Sequence, residues 1–336
     1  MRALLTVGHG GRDQLQLATD FPAPKAAPGE VVLRVAATAV NYHDIFTRRG
    51  MPGIRIPLPV IVGSDIAGEI TELGRGVTGW QIGSRVLVDS VFRDGKRHGM
   101  IGETVHGGRA EYVAVPAAQL VAVPDAVSLE DAASLPLAYG TAYRMLVTQG
   151  RLARGEKILV LGASGGVGVA CVQLAKLLGA EVIACTSSVA KQKLLTDLGA
   201  DHTVNYSAES FVEAVKRLYG KPRVGGGGGV DVAVNFTGGD TWRDTQRTVT
   251  HGGRILTCGA TAGFEVITDA RFLWTFEHHY IGSNGWSVAD LQALLGLIRD
   301  GRLKPVIDRV LPIDEAAEGE RLLEDREVVG KVLLKP

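Results

Sequence analysis

Between residues 156 and 188 the hydrophobic pattern changes from that of a strand to that of a helix and back again. Residues 158–161 form an uninterrupted apolar run, as expected of a strand that is buried on both faces. Apolar residues then recur at helical spacing over 169–178, and a second strand begins at 181–185. The pattern therefore predicts a strand–helix–strand unit of the length that two parallel strands and a connecting helix require.

A glycine-rich turn joins the first strand of this unit to its helix. Gly162, Gly165, Gly166 and Gly168 leave the backbone uncovered, so that a pyrophosphate can approach the N–H groups at the helix start. Such a glycine pattern also occurs in other α/β proteins, but here the strand, the helix and the second strand are all present. We interpret the unit as a dinucleotide-binding site.

The end of the second strand indicates which dinucleotide binds. Enzymes that prefer NAD usually carry an acidic residue about 20 residues past the glycines, where it accepts hydrogen bonds from the ribose. This chain has Ser187 and Ser188 at that place and Lys191 just beyond, and hydroxyl and ammonium groups can hold a 2′-phosphate. The serines can at the same time cap the helix that follows. We therefore expect NADP(H) as the cofactor.

The rest of the chain shows two different patterns. Residues 1–127 contain short β-rich runs between turns with proline and glycine, which predict a β-domain with closed or partly closed sheets. Over 157–285, strands and helices alternate, as in an open parallel sheet covered on both faces. Helices are predicted over 128–150 and 287–300, and a terminal strand over 331–334. The predicted fold class is α/β, with a β-rich domain and a doubly wound parallel sheet.

Composition narrows the range of partners. The 336 residues include 36 lysines and arginines and 36 aspartates and glutamates, so no net charge attracts nucleic acid or an anionic membrane. The start of the chain lacks the apolar core of a signal peptide, and no apolar run approaches the length that crosses a bilayer. Three cysteines without CxxC spacing are typical of reduced thiols. We expect a cytoplasmic protein that binds neither nucleic acid nor membrane.

Five segments together resemble the medium-chain dehydrogenase/reductase superfamily, close to its zinc-free quinone oxidoreductase and enoyl reductase branch. They are GSDIAGEITELG (63–74), GGRAEYVAVP (107–116), AASLPLAYGTAY (132–143), GASGGVGVACVQLAKLLGA (162–180) and GKVLL (330–334). The resemblance implies a GroES-like catalytic domain formed by residues 1–127 and 287–336. A Rossmann NADP(H)-binding domain, residues 128–286, would be inserted between them. The resemblance also implies a homodimer.

Compared with zinc-dependent members of this superfamily, the chain lacks most ligands of the catalytic zinc. It has Asn41 and Leu137 at or near the positions of two cysteines. It has Ser64 and Asp65 where those members have histidine and glutamate. Only Asp65 remains as a ligand, whereas a catalytic zinc needs about three. Residues 88–111, which would carry the structural zinc, contain no cysteine, and we expect no metal.

Two alternatives remain open at this point. His43, Asp44 and Asp65 could offer an atypical metal site for an alcohol dehydrogenase, although their spacing matches no known ligand pattern. His98 and His106 are lone histidines in a polar segment, and we expect them to be solvated. Intact dinucleotide-binding residues would also suit a non-catalytic NADPH-binding or redox-sensing protein.

Without a Lewis acid, hydride from NADPH can reduce only an acceptor that is already electron-poor, such as a quinone or the C=C bond of an α,β-unsaturated carbonyl compound. The resemblance places Asn41 and Tyr42 in the active-site stretch VNYHD, as donors to the oxygen that gains charge. Tyr42 could also protonate the enolate. Asp44 is the third catalytic candidate, as an ion-pair partner of Arg48 or a cleft lining. Phe46 stands where quinone oxidoreductases often carry an aromatic hydroxyl, so the acceptor stays open.

The resemblance also implies cofactor contacts residue by residue. Near the nicotinamide these are Thr141, Ser283 and Asn284, and at the pyrophosphate Gly165, Gly166 and Val167. Around the adenosine phosphate they are Ser187, Lys191 and Tyr206. At strand ends that face the cofactor they are Asn235, Phe236, Thr237, Gly259 and Ala260, and at the cofactor edge Lys331.

Overall fold

Both ends of the chain contribute to one structural unit, and the middle of the chain forms a second, in the computed structural model. The residues that the structure describes are 1–51, 53–93, 95 and 99–336. The first unit comprises Met1–Ala138 and Ser287–Pro336, and the second comprises Tyr139–Trp286. Residues 128–138 belong to the first unit, whereas the sequence analysis assigned them to the second. His98 lies outside the described residues.

The secondary structure has the following bounds. The strands are β1 (Ala3–Thr6), β2 (Leu15–Ala18), β3 (Glu30–Val40), β4 (Val60–Ile61), β5 (Ile66–Leu73), β6 (Arg85–Val88), β7 (Tyr112–Pro116), β8 (Leu120–Ala122), β9 (Lys157–Val160), β10 (Glu181–Thr186), β11 (His202–Asn205), β12 (Val230–Val234), β13 (Val249–Thr257), β14 (His279–Gly282), β15 (Ile307–Pro312) and β16 (Lys331–Lys335). The helices are α1 (Tyr42–Arg49), α2 (Leu129–Ala133), α3 (Thr141–Tyr143), α4 (Gly166–Leu177), α5 (Val189–Asp197), α6 (Phe211–Tyr219), α7 (Thr241–Gln246), α8 (Ala270–Thr275), α9 (Val288–Arg299) and α10 (Ala316–Glu324). Within the described residues, no helix combines the length and apolar character that crossing a membrane requires.

The first unit contains a seven-stranded sheet that is mainly antiparallel. Its order is β15-β16-β3-β5-β6-β8, and β7 also pairs with β3. Val40 of β3 pairs with Val332 of β16, and Thr38 of β3 pairs with Ile66 of β5. This register brings the end of β3 together with the starts of β5 and β16. At this end of the sheet, Asn41 follows β3, Asp65 precedes β5 and Lys331 is the first residue of β16.

The second unit contains a six-stranded parallel sheet with the order β11-β10-β9-β12-β13-β14. The first strand of the unit, β9, is therefore central, and the chain winds outward from it in both directions. This is the doubly wound order of dinucleotide-binding domains, in which the ligand binds at the carboxyl ends of the strands beside the reversal point. The predicted α/β fold class, with a β-rich part and a doubly wound parallel sheet, is confirmed.

Several predicted elements differ in detail from the observed ones. The strand expected over 60–70 is split into β4 and β5, because Gly63 between them adopts a φ of 100° that interrupts extended pairing. The helix expected over 128–150 is divided, since π-helical turns lie on both sides of the short α3. All three cysteines are free, as expected, with Cys171 and Cys185 buried.

Candidate active site

The start of α1 fixes the backbone of Asn41. The N–H of Asn41 donates to Oδ2 of Asp44 at 2.8 Å, so that the Asp44 carboxylate closes the first turn of the helix. The Asn41 side chain also makes contacts outside α1. It is buried, with an exposed fraction of 4%.

The Asn41 amide forms a buried polar cluster with Asp65 and Lys331. Asn41 Nδ2 donates to Asp65 Oδ2 at 2.9 Å, and Lys331 Nζ donates to Asp65 Oδ2 at 3.1 Å. Lys331 Nζ also donates to Asn41 Oδ1. The backbone N–H of Leu137 donates to Asp65 Oδ1 at 2.8 Å, so that both carboxylate oxygens have partners.

The position of Lys331 corrects one expectation. The sequence analysis placed it at the edge of the cofactor, but its side chain is only 2% exposed and its ammonium is directed at Asn41 and Asp65. The cause is the pairing of β16 with β3, which brings Lys331 to the end of β3. An ammonium therefore contacts both Asn41 and Asp65, the residues that the resemblance places at zinc-ligand positions.

His43 and Glu103 form a second polar contact in the first unit. His43 Nε2 lies 2.7 Å from Glu103 Oε2, as an ion pair rather than an aligned hydrogen bond. Burial disfavours the imidazolium, but the Glu103 carboxylate and the charges of Asp44 and Asp65 outweigh it and raise the pKa of His43 above its usual value. The His43 side chain is 21% exposed, so a charged imidazole remains reachable.

Sequence reasoning did not find Glu103. It lies in a turn where three glycines approach one another closely. A Cβ on Gly102 or Gly107 would lie within 2.6 Å of the Gly63 backbone. Such close approach excludes any side chain at these positions. The glycines of GETVHGG were the available signal that this turn is built to hold Glu103 in place.

The Asp44 carboxylate is fully buried in an ionic network. Arg109 donates to Asp44 Oδ2 at 3.0 Å and to Glu320 Oε1 at 2.6 Å, and Arg48 donates to Glu320 Oε2 at 2.7 Å. The predicted Asp44–Arg48 ion pair is thus corrected, since Arg109 and Glu320 stand between the two. Burial raises the pKa of Asp44, although the Arg109 charge opposes this. Asp44 anchors α1 and is not brought to a surface that a substrate reaches.

The structure does not bring the Tyr42 hydroxyl to the Asn41 cluster. The Tyr42 ring packs against a core cluster that includes Val40 and Leu322, and its hydroxyl donates to the Leu323 carbonyl at 3.1 Å. Burial raises the pKa of Tyr42. This geometry supports a packing role for Tyr42 and gives no support to proton donation.

The side chains that the structure describes do not form a typical metal site. Among the described residues, no three or more His, Cys, Asp or Glu side chains are grouped so that they could hold a metal ion. The three residues considered for an atypical metal site each face another charged partner: His43, Asp44 and Asp65.

In the second unit, the turn between β9 and α4 fits a pyrophosphate. The residue before α4 is Gly165, which provides no capping side chain. A Cβ there would have a single neighbour within 4 Å, the Gly162 carbonyl at 3.6 Å, so space is open beside the backbone. The N–H groups of Gly166 and Val167 lie in the first turn, where a helix provides no acceptor. An anionic group is the natural partner for this helix start.

The residues expected around the adenosine phosphate lie close together in the second unit. Ser187 follows β10 and Tyr206 follows β11, at the carboxyl ends of two adjacent parallel strands. Ser188 Oγ accepts from the N–H of Lys191 at 3.3 Å, which confirms that this serine caps α5. The Tyr206 side chain is 43% exposed.

Asn235 forms a turn, which corrects its expected cofactor contact. Its Oδ1 accepts from the N–H groups of Thr237 and Gly238, both at 3.0 Å. Its Nδ2 donates to the hydroxyls of Thr241 and Thr245. The fully buried amide is thus saturated within the protein, and it shapes the backbone at the end of β12.

The other predicted cofactor residues lie at strand ends or in α3. A ring carbon of Phe236 is 3.1 Å from the position of a Cβ on Gly162, so this ring lies over the glycine turn. Gly259 has open space where a Cβ would be. Ser283 Oγ is buried without a hydrogen-bond partner among the described residues, as expected of a group that meets a ligand. The remaining residues are Thr141, Ala260 and Asn284. These features fit a bound dinucleotide.

Comparison with known proteins agrees with this geometry. Residues 27–125 match the alcohol dehydrogenase GroES-like domain, and residues 166–300 match the zinc-binding dehydrogenase family. An acryloyl-coenzyme A reductase from Sulfurisphaera tokodaii is 30% identical, over 100% of both proteins. The chain belongs to the medium-chain dehydrogenase/reductase superfamily.

Similar proteins in this superfamily are named after different substrates. A quinone oxidoreductase from Homo sapiens is 28% identical and covers 99% of this chain and 97% of its own length. A solved structure described as an NAD-dependent alcohol dehydrogenase is 36% identical, covers both chains completely and has a TM-score of 0.92. Membership establishes an oxidoreductase family, and the acceptor has to be argued from the site.

Proposed function

We propose that this protein is an NADPH-dependent reductase that acts without catalytic zinc on an α,β-unsaturated carbonyl compound or a quinone. The observation that carries the proposal is the buried contact of Lys331 with Asn41 and Asp65. A cation in this place opposes binding of a second cation by the same carboxylate, because like charges at short distance repel.

The proposed cofactor site consists of residues in the second unit. The open start of α4, with Gly165, Gly166 and Val167, would hold the pyrophosphate, and Ser187 with Lys191 would hold the 2′-phosphate. Reduced NADP, when bound, supplies a hydride. The residues of the chain then have to hold the acceptor, exclude water and provide a proton.

The proposed absence of a catalytic zinc would determine the class of acceptor. An alcohol or simple ketone needs a metal or a strong acid to stabilise charge on its oxygen, whereas an enone, an enoyl thioester or a quinone delocalises the added electron pair. The similarity to an acryloyl-coenzyme A reductase supports an enoyl thioester, and the similarity to a quinone oxidoreductase supports a quinone. The homodimer and the cytoplasmic location remain predictions from the sequence.

The test is the decrease of NADPH absorbance on addition of crotonyl-CoA, a 2-alkenal, 9,10-phenanthrenequinone or a simple saturated ketone, with NADH in parallel. Turnover of the unsaturated carbonyl compounds or the quinone, faster with NADPH, is the expected result. Turnover of the ketone alone would indicate an alcohol dehydrogenase. Tight NADPH binding without turnover of any acceptor would indicate a redox-sensing protein.

A further inference from the structure

In the His43–Glu103 pair, the glutamate side chain is buried and the histidine side chain is partly exposed to solvent. The Glu103 side chain is 4% exposed and that of His43 is 21% exposed. Because Nε2 is the nitrogen that faces Glu103, Nδ1 is the nitrogen on the other edge of the ring. A buried carboxylate that fixes one side of an imidazole orients the ring and stabilises its protonated form.

The charges around His43 favour the imidazolium. The Glu103 carboxylate lies 2.7 Å from its Nε2, and the negative charges of Asp44 in α1 and of Asp65, which precedes β5, act in the same direction. The Asp44 charge is matched by Arg109, and the Asp65 charge by Lys331. Glu103 therefore needs its own cation, and among the described residues the one at ion-pair distance is His43. Protonation of His43 completes the charge balance of the group.

We propose that His43 is the catalytic acid of this site and that Glu103 is its positioning residue. The inference rests on the proposed function and specifies the atom that supplies the proton. His43 also lies two residues after Asn41, so the imidazole and the Asn41–Asp65–Lys331 cluster share the helix start at the end of β3.

After hydride from reduced NADP has added to the β-carbon of an enoyl substrate, the electron pair of the C=C bond lies on the α-carbon and the carbonyl oxygen as an enolate. The Nδ1–H bond of the His43 imidazolium breaks, and its proton forms the new C–H bond at the α-carbon. The electron pair of the broken bond stays on Nδ1, which leaves a neutral imidazole with Nε2–H facing Glu103. Nδ1 then takes up a proton from bulk solvent, so that each turnover consumes one solvent proton.

The pair is tested without turnover by NMR titration of the histidine imidazoles in the cofactor-free protein. His43→Gln assigns the signal, and Glu103→Gln removes the charge of its partner. We expect His43 to titrate above the ordinary value of about 6.5 and to shift downward in Glu103→Gln. His202→Gln, which breaks the exposed His202–Glu181 pair of the second unit, is the matched control. A His43 pKa that does not respond to Glu103→Gln overturns the positioning role.

The acid role is tested with crotonyl-CoA in D₂O. We expect His43→Gln to lower kcat by about 10²–10⁴-fold and to lose the facial selectivity of deuterium at the α-carbon. Reduction of 9,10-phenanthrenequinone, whose oxygens exchange protons rapidly with water, should change little. The wild-type rate should be constant at low pH and fall as the pH rises through the His43 pKa, with this dependence absent in His43→Gln.

The proposed function and the acid role of His43 are contradicted by different results. A wild-type protein that reduces neither acceptor contradicts the proposed function, and the acid role with it, whatever the NMR titration shows. A wild-type protein that reduces crotonyl-CoA, with His43→Gln as fast and as selective, contradicts the acid role alone. His202→Gln should leave rate and selectivity unchanged, and an equal loss there would point to a general effect on folding.

Discussion

At the residue scale, the proposal of a zinc-free site depends on the Lys331 ammonium, which is buried beside the Asp65 carboxylate. A buried ion pair costs desolvation of both charges and is retained only with good geometry and additional hydrogen bonds. Here Asn41 and the Leu137 N–H provide those hydrogen bonds to Asp65. Removal of one charge should therefore be far more harmful than removal of a surface charge, which gives a direct test of the arrangement.

We predict that Lys331→Met lowers the free energy of unfolding by about 3–5 kcal/mol, because Asp65 is left buried and unpaired. Lys335→Met is a matched control on the same strand, since Lys335 pairs with Glu130 and is 51% exposed. It should cost about 1 kcal/mol or less. Urea unfolding of both variants measures the difference, and equal stabilities of the two would show that the Lys331 contact contributes no more than a surface pair.

Which contacts of the site could be predicted from the sequence depended on how far apart the two partners lie along the chain. Asn41 and Asp65 were found because they replace ligands in a known pattern. Lys331 was predicted to be a site residue, but its contacts were not predicted, since Asn41 lies 290 residues away. Arg109, which is 65 residues from Asp44 and 211 from Glu320, carries no local signal of its buried network. Ionic partners that meet only through strand register cannot be read from spacing.

At the element scale, local chemistry predicted helix starts well. Ser128 and Ser188 were expected to cap helices, and each accepts a hydrogen bond from the backbone of the first turn. The helix α6 begins at Phe211. There the preceding serine forms no capping bond, so the sequence offers no signal that marks the boundary.

These two kinds of helix start provide a prediction. Ser287 Oγ accepts from the N–H of Asp290 at the start of α9, whereas Ser210 precedes α6 without a side-chain capping bond. We expect Ser287→Ala to lower the free energy of unfolding by about 1 kcal/mol, and Ser210→Ala to change it by less than about 0.5 kcal/mol. Thermal and urea unfolding measure both, and a larger loss in Ser210→Ala would contradict this assignment.

At the scale of the whole molecule, the alternation of strands and helices predicted the parallel sheet, because strands buried on both faces have a clear apolar pattern. The first domain boundary was placed 11 residues too early, between 127 and 128 instead of Ala138 and Tyr139. The change from strand to helix pattern at Ser128 suggested a new domain. Yet α2 packs against β3 and β5 of the first unit, a contact that periodicity does not reveal.

The proposed preference for NADPH depends on Ser187, a single position of the second unit. Ser187→Asp places a carboxylate where the 2′-phosphate is proposed to bind. We expect the ratio of kcat/KM for NADPH to that for NADH to fall by about tenfold or more, equivalent to about 1.4 kcal/mol. Ser210→Asp is the control and should leave the ratio unchanged. An unchanged ratio in Ser187→Asp would contradict the assigned phosphate position.

The central claim is that Lys331 takes the place of a catalytic metal. The most direct test measures zinc by elemental analysis and crotonyl-CoA-dependent NADPH oxidation on the same sample, before and after dialysis against a chelator. We predict far less than one zinc per chain and an unchanged rate. One zinc per chain, with activity lost on removal and restored on its return, would contradict the claim.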